Sequence, residues 1–248
     1  MNIKIGYAGN HKIGMECLKI LLSYDIKPLV LLLPEKGDYN QEMISLLHNV
    51  PCIIGKIFRE KKNIEFLDSL ELDYIISVHF PYLFTKEILE LPKIGILNLH
   101  PAYLPFNRGW HTPTWAIYES TPFGATLHWV DEEIDSGDIA LQKQITISWS
   151  DTAHTLYQKA LQCEIELFNE AIPYIINKNL PRIPQPYEGT LHLKKDLEKI
   201  KKIDLSLEYS GEKIINLLRA LTTNNWDEAA FFELDGKKYL IHIEIKED

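Results

Sequence analysis

Apolar and polar positions follow two rhythms through the first two thirds of the chain. Short apolar runs fall at residues 3–8, 29–33, 52–54 and 74–78, and each is of strand length. The run at 29–33 is almost continuously apolar, as in strands covered on both faces. Residues 15–22, 41–48 and 65–70 between them carry helix-like spacing. This strand–helix alternation predicts an α/β fold: a Rossmann-like, doubly wound, mostly parallel sheet.

The rhythm changes beyond residue 95. A strand is expected at 96–100, stopped by Pro101, then a Pro- and Gly-containing loop to Thr112 and a helix to Tyr118. Residues 124–130 and 139–147 are strand-like, and a polar turn over 131–138 joins them. A long helix is expected to begin near Ser150 or Asp151, whose side chain can cap it, and to run to about residue 176. Pro181, Pro184 and Pro186 fit neither a helix interior nor a central strand, so they mark a boundary. The spacing therefore predicts a larger domain over 1–190 and a small extension over 191–248. That extension holds a helix near 211–221 and a hairpin of 230–234 and 239–245 around Asp235-Gly236.

Composition narrows the function classes. With 46% hydrophobic and 25% charged residues in 248, the chain can bury a core and is neither disordered nor fibrous. Its 26 Lys and Arg against 35 Asp and Glu give a net charge of −9, which argues against a nucleic-acid partner. The lysines at 194, 195, 199, 201 and 202 alternate with acids and read as a solvated helix face. Cys17, Cys52 and Cys163 show no pairing pattern, so a reducing compartment is expected. No signal-like or bilayer-length apolar run is present, and the expected location is cytoplasmic. The nine histidines show no metal-ligand spacing, so no metal is expected.

Candidate chemistry concentrates between residues 98 and 138. On a strand, Asn98 and His100 share a face at the carboxyl end, where α/β sheets bind ligands. The turn Asp135-Ser136-Gly137-Asp138 can return a carboxylate to that place. A histidine can take the proton of an attacking amine, a carboxylate can orient and support it, and an amide can donate to a developing oxyanion. No Ser or Cys nucleophile lies in this segment, which favours direct acyl transfer. The plainer alternatives are a structural Asn–His pair, a turn aspartate, and a structural role for His128 on its strand.

The string Asn98-Leu99-His100-Pro101-Ala102-Tyr103-Leu104-Pro105, with Arg108-Gly109 and Trp115-Ala116-Ile117, resembles the signature of folate-dependent formyltransferases. The resemblance continues through Gly124-Ala125-Thr126-Leu127-His128, Ile134-Asp135-Ser136-Gly137-Asp138-Ile139 and Gln142, covering roughly residues 70–160. It implies Asn98, His100 and Asp135 as the catalytic set and N10-formyltetrahydrofolate as donor. The pterin is then expected near Phe80, Pro81, Tyr82 and Leu83 and near Ile134 and Asp138.

Among the family's branches, the short, slightly acidic tail disfavours methionyl-tRNA as acceptor, and the length beyond the long helix disfavours glycinamide ribonucleotide. Gly6-Tyr7-Ala8-Gly9-Asn10-His11, Pro184-Gln185-Pro186-Tyr187 and Arg219-Ala220-Leu221-Thr222-Thr223-Asn224-Asn225-Trp226 resemble the nucleotide-sugar N-formyltransferases. Those enzymes act on dTDP-linked amino-dideoxy sugars, with dTDP-4-amino-4,6-dideoxyglucose as the type substrate, for surface polysaccharide or O-antigen synthesis. Substrate contacts are then expected from Asn10, His11, Lys12, Arg108, Tyr187, Arg219, Asn224, Asn225 and Trp226. Tyr187 and Trp226 would serve as base platforms and Arg219 as a phosphate partner. Trp226 has a core role as its alternative, and Arg219 a helix-capping one. The terminal hairpin offers an edge through which two subunits could pair. A non-catalytic folate- or nucleotide-binding module is a competing class. A nicotinamide oxidoreductase is disfavoured because Gly6-x-x-Gly9 lacks the full dinucleotide fingerprint.

Overall fold

The computed structural model describes residues 3–248 except Tyr187. In chain order the elements are β1 (Ile5–Gly9), α1 (His11–Ser23), β2 (Val30–Leu33), α2 (Asn40–Leu46), β3 (Cys52–Ile54), α3 (Lys61–Ser69), β4 (Tyr74–Val78), α4 (Lys86–Leu89) and β5 (Gly95–His100). They continue with β6 (Arg108–Gly109), α5 (Thr112–Tyr118), β7 (Phe123–Trp129), β8 (Ile139–Ile145), α6 (Ala153–Asn177) and β9 (Leu191–His192). The tail holds α7 (Glu198–Lys201), α8 (Gly211–Ala220), β10 (Ala230–Leu234) and β11 (Lys237–Ile241).

Among the described residues seven strands form one sheet in the order β3-β2-β1-β4-β5-β7-β8. Strands β3 to β5 run parallel, and β7 turns antiparallel against β5. Every residue of β1, β2 and β4 is buried, which is why their sequences lack polar alternation. The chain leaves β1 towards β2 and β3, then returns on the other side of β1 as β4. The order reverses there, and doubly wound sheets bind ligands in the crevice at the carboxyl ends of such strands.

By contacts the chain divides into two compact units. The first comprises residues 1–100, 126–142 and 164–185, the second 101–125, 143–163 and 186–248. One core of the first unit joins Ala8, Val30, Leu32 and Ile75 to Phe58 and Leu67. In the second unit Ala116, Phe123, Leu156 and Ala220 form one cluster, and Leu197, Ile203, Leu217 and Ala230 another.

Three local expectations are corrected. Helix α6 starts at Ala153, and its cap is Thr152: the Thr152 N–H donates to Thr155 Oγ1 at 2.9 Å while the Thr155 N–H faces Thr152 Oγ1 at 3.4 Å. That reciprocal pairing is a capping box. Asp151 instead accepts from the Ser148 N–H and from Lys159 Nζ, at 2.7 and 2.8 Å. The lysine-rich segment is not one solvated helix but a 3-10 turn over Lys194–Leu197 followed by α7. Lys201 is buried, because its ammonium donates to Glu198 Oε1 and to the Asp227 carbonyl. The second hairpin strand spans Lys237–Ile241, earlier than 239–245, because the tight turn at Asp235-Gly236 lets pairing begin at Leu234↔Lys237.

Candidate active site

Asn98 and His100 stand on alternate positions at the carboxyl end of β5, so the pleat presents both on one face. Pairing of β5 with β7 sets Asn98 opposite His128 and His100 opposite Thr126. The turn between β7 and β8 then carries Asp135 to the same edge. His100 Nε2 lies 3.6 Å from Asp135 Oδ2, and His128 Nε2 lies 3.5 Å from Asp135 Oδ1. All four side chains belong to the first unit.

His128 was not foreseen as a site residue, yet it organises the site. It is buried, and its Nδ1 meets the Trp129 carbonyl at 2.8 Å while its Nε2 meets Asn98 Nδ2 at 3.1 Å. A carbonyl only accepts, so Nδ1 carries a proton, and in that tautomer Nε2 can accept from the Asn98 amide. Asn98 therefore turns its NH2 towards His128, and its second N–H remains a donor for a reacting oxygen. The sequence signal was the alternation in Leu127-His128-Trp129; its meaning came only from the pairing with β5.

Asp135 sits at φ 51°, in the left-handed region, which Asp tolerates better than most residues. Several anchors hold this turn. Gln185 Nε2 donates to the carbonyls of Asp135 and Gly137, at 2.9 and 2.7 Å. Asp131 Oδ1 accepts from Ser136 Oγ at 2.7 Å and from the Glu133 N–H at 3.1 Å. A Cβ on Gly137 would stand 2.0 Å from the Trp129 carbonyl oxygen, so only glycine lets the turn close here. Gln185, within the proline-rich passage, is a second supporting residue that sequence reasoning missed.

The segment after β4 is an aromatic cluster. Phe80 packs on Phe58, Tyr82 and Phe84 with ring centroids 5.2–5.8 Å apart. Pro81 and Leu83 are exposed, Leu83 at 61%. Such a strip of rings beside open apolar side chains fits a flat aromatic ligand. Ile134 and Asp138 flank Asp135 in its turn and are half-buried.

The structure distributes the expected substrate residues between the units. In the first, Asn10 is buried at the N-terminus of α1, where its side chain accepts from the His11 N–H. His11 and Lys12 are exposed. Burial, and next the charge of His79, push the His11 pKa down, with Asp38 opposing. The others lie in the second unit. Arg108 forms β6, and its backbone N–H donates to the Thr190 carbonyl at 2.9 Å. Arg219 is buried; its Nε donates to the Asp151 carbonyl, Nη2 to the Ser148 carbonyl and Nη1 to Asn216 Oδ1. Every nitrogen of this guanidinium already has an acceptor, the arrangement of a structural tie and not of an open phosphate clamp. Asn224 is exposed, and Asn225 caps the short turn Trp226–Glu228. Trp226 is no core residue: it is 52% exposed and stacks on His242 at 3.9 Å. Tyr187 lies outside the described residues.

Among the described residues no group of three or more His, Cys, Asp or Glu side chains could hold a metal ion. No helix among them is long and apolar enough to cross a membrane.

Comparison with known proteins places this geometry in a family. The formyl transferase family matches residues 54–172, and the N-formyltransferase dimerization C-terminal domain matches residues 196–247. A dTDP-4-amino-4,6-dideoxyglucose formyltransferase from Mycobacterium bovis is 29% identical over 171 residues, covering 69% of this chain and 72% of that protein. A methionyl-tRNA formyltransferase from Clostridium perfringens is 34% identical over 188 residues, covering 75% of this chain and 60% of that protein. The crystal structure of a 4-N formyltransferase from Francisella tularensis superposes with a TM-score of 0.83 at 25% identity, covering 99% of each chain. The chain thus belongs to the formyl transferase family and is a folate-dependent N-formyltransferase.

Proposed function

We propose that the protein moves the formyl group of N10-formyltetrahydrofolate onto the amine of a dTDP-linked amino-dideoxy sugar, namely dTDP-4-amino-4,6-dideoxyglucose. The observation that carries the chemistry is the convergence of Asn98, His100, His128 and Asp135 at one sheet edge. The amine attacks the formyl carbon, a new C–N bond forms, and the carbonyl oxygen becomes an oxyanion facing the second Asn98 N–H. His100 takes the proton the amine loses, and the Asp135 carboxylate, 3.6 Å away, favours the resulting imidazolium. Collapse of the intermediate breaks the bond to N10 and returns that proton to the leaving folate nitrogen.

In this reading Phe80, Pro81, Tyr82 and Leu83, with Ile134 and Asp138, receive the pterin. His11, Lys12, Arg108, Asn224, Asn225 and Trp226 are candidates for the nucleotide sugar. Residues 1–190 form the catalytic domain and 191–248 an extension through which two copies pair in the cytoplasm. The choice of acceptor is supported by the mycobacterial relative and by a net charge of −9, unsuited to tRNA. The likeness to a methionyl-tRNA enzyme makes tRNA the competing acceptor.

Purified protein given formyl donor and either dTDP-4-amino-4,6-dideoxyglucose or charged initiator tRNA would separate the two. A dTDP-sugar heavier by one formyl group is the expected product. Formylation of the tRNA alone would overturn the proposal.

A further inference from the structure

One buried ion pair plays no part in the chemistry above. Glu164, on α6, has a side chain wholly shielded from solvent, and His79 Nε2 lies 2.9 and 3.1 Å from its two oxygens. Taking a carboxylate out of water is costly, and apolar side chains of similar volume often fill such a place at no loss of stability. The charge pair therefore answers a geometric demand.

The position of His79 identifies that demand. It is the first residue beyond β4, at the reversal of strand order, and has φ 52°. A left-handed residue other than glycine is strained and persists where its surroundings hold it. The preceding residue, Val78, accepts from the Asn10 N–H at 3.1 Å and pairs with Leu99, the neighbour of His100. The following residue is Phe80, where the aromatic strip begins. One turn thus ties the end of β1, the catalytic strand and the aromatic strip to a side chain clamped from α6.

We propose that His79 is a positioning residue: held by Glu164, it fixes the left-handed turn that aims the Phe80–Leu83 segment at the formyl donor. This rests on the reading of that segment as the donor site. The groups facing the pair are His11 of α1, whose ring meets that of His79 edge-on at 6.5 Å, and Cys17 of α1, on the Glu164 side. Burial opposes protonation of His79, but the charge and hydrogen bond of Glu164 outweigh it and raise the imidazole pKa above its ordinary value. A raised folded value means that the clamp is complete below the ordinary histidine pKa. It weakens as pH rises through the raised one, and donor affinity falls with it.

The experiment is calorimetric titration with 5-formyltetrahydrofolate, so that binding is read without turnover. Two double variants are compared with the wild type across pH, and melting curves verify their folding. His79→Leu with Glu164→Leu fills the space without a clamp and is expected to weaken binding about tenfold. In assays its donor KM should rise equally while kcat at saturation stays within about twofold. His79→Gln with Glu164→Gln keeps a hydrogen bond without charge. It should recover most of the affinity and lose the alkaline fall. If the leucine variant matches the wild type in affinity and pH profile, or the glutamine variant binds no better than it, the clamp has no such role. A wild-type protein that binds no folate would overturn the donor reading and this proposal with it.

Discussion

His100 and Asp135 stand 3.6 Å apart, close enough for the carboxylate to support an imidazolium and too far for a strong ground-state hydrogen bond. Their contribution belongs to the step in which charge develops. His100→Ala and Asp135→Ala should each lower kcat by about 10² or more, with nucleotide-sugar binding nearly unchanged in a calorimetric titration. Equal loss of binding would put the chemistry elsewhere. Asn98→Ala should cost about 3 kcal/mol of transition-state stabilisation, read from kcat. His128 acts through Asn98: with Nδ1 committed to the Trp129 carbonyl, its Nε2 holds the amide in one orientation. His128→Phe keeps an aromatic ring and removes that acceptor, so kcat should fall about tenfold, through misorientation of the donor. Paired with Asn98→Ala, it should add almost nothing further, and fully multiplicative losses would separate the two residues.

The site elements were legible in the sequence to the extent that their signals are local. Alternation predicted that Asn98 and His100 share a face, and Pro101 marked where the ladder stops. The run Tyr74–Val78 read as a buried strand because both its faces are covered. What escaped depends on partners distant along the chain. His128 looked structural because nothing near it in sequence says that β7 pairs antiparallel with β5. Gln185 looked like part of a proline-rich boundary, although its amide ties down two carbonyls of the Asp135 turn from about 50 residues away. Arg219 suggested a phosphate ligand because the carbonyls that occupy it lie about 70 residues upstream. At this scale the Asp135 turn is the sensitive element. Gly137→Ala drives a methyl into the Trp129 carbonyl, and the turn must open to accommodate it. Activity should drop at least tenfold while the melting temperature changes modestly; an active variant would show that the turn is not fixed by this contact.

Across the molecule, buried carboxylates couple stability to pH. Asp73 accepts from Lys178 Nζ and the Lys4 N–H, and Asp151 from Lys159 Nζ and the Ser148 N–H. Burial opposes their ionisation, but these donors outweigh it and lower both pKa values. A depressed folded value gives stability that is present above the ordinary carboxylate range and is lost as pH falls through the folded value. Urea unfolding from pH 7 to 3 should show that loss, and Asp73→Asn with Asp151→Asn should flatten it; an unchanged slope would assign acid sensitivity to other groups. The terminal hairpin matters at the same scale. Leu234, Tyr239 and Leu240 are 51%, 42% and 44% exposed within a segment matched by the family's dimerization domain. On the proposed pairing of two copies, Leu240→Lys should shift sedimentation from dimer towards monomer, and a variant that sediments like the wild type would place the interface away from Leu240.

The left-handed backbone of Asp135 has a practical consequence. Asn is nearly the same shape as Asp and, like it, is at home in that conformation. Asp135→Asn should therefore leave the fold undisturbed while deleting one negative charge from the catalytic edge. Such an isosteric variant would be a trap: folate and amino sugar could assemble on it together and wait, making the otherwise fleeting ternary complex available to crystallography.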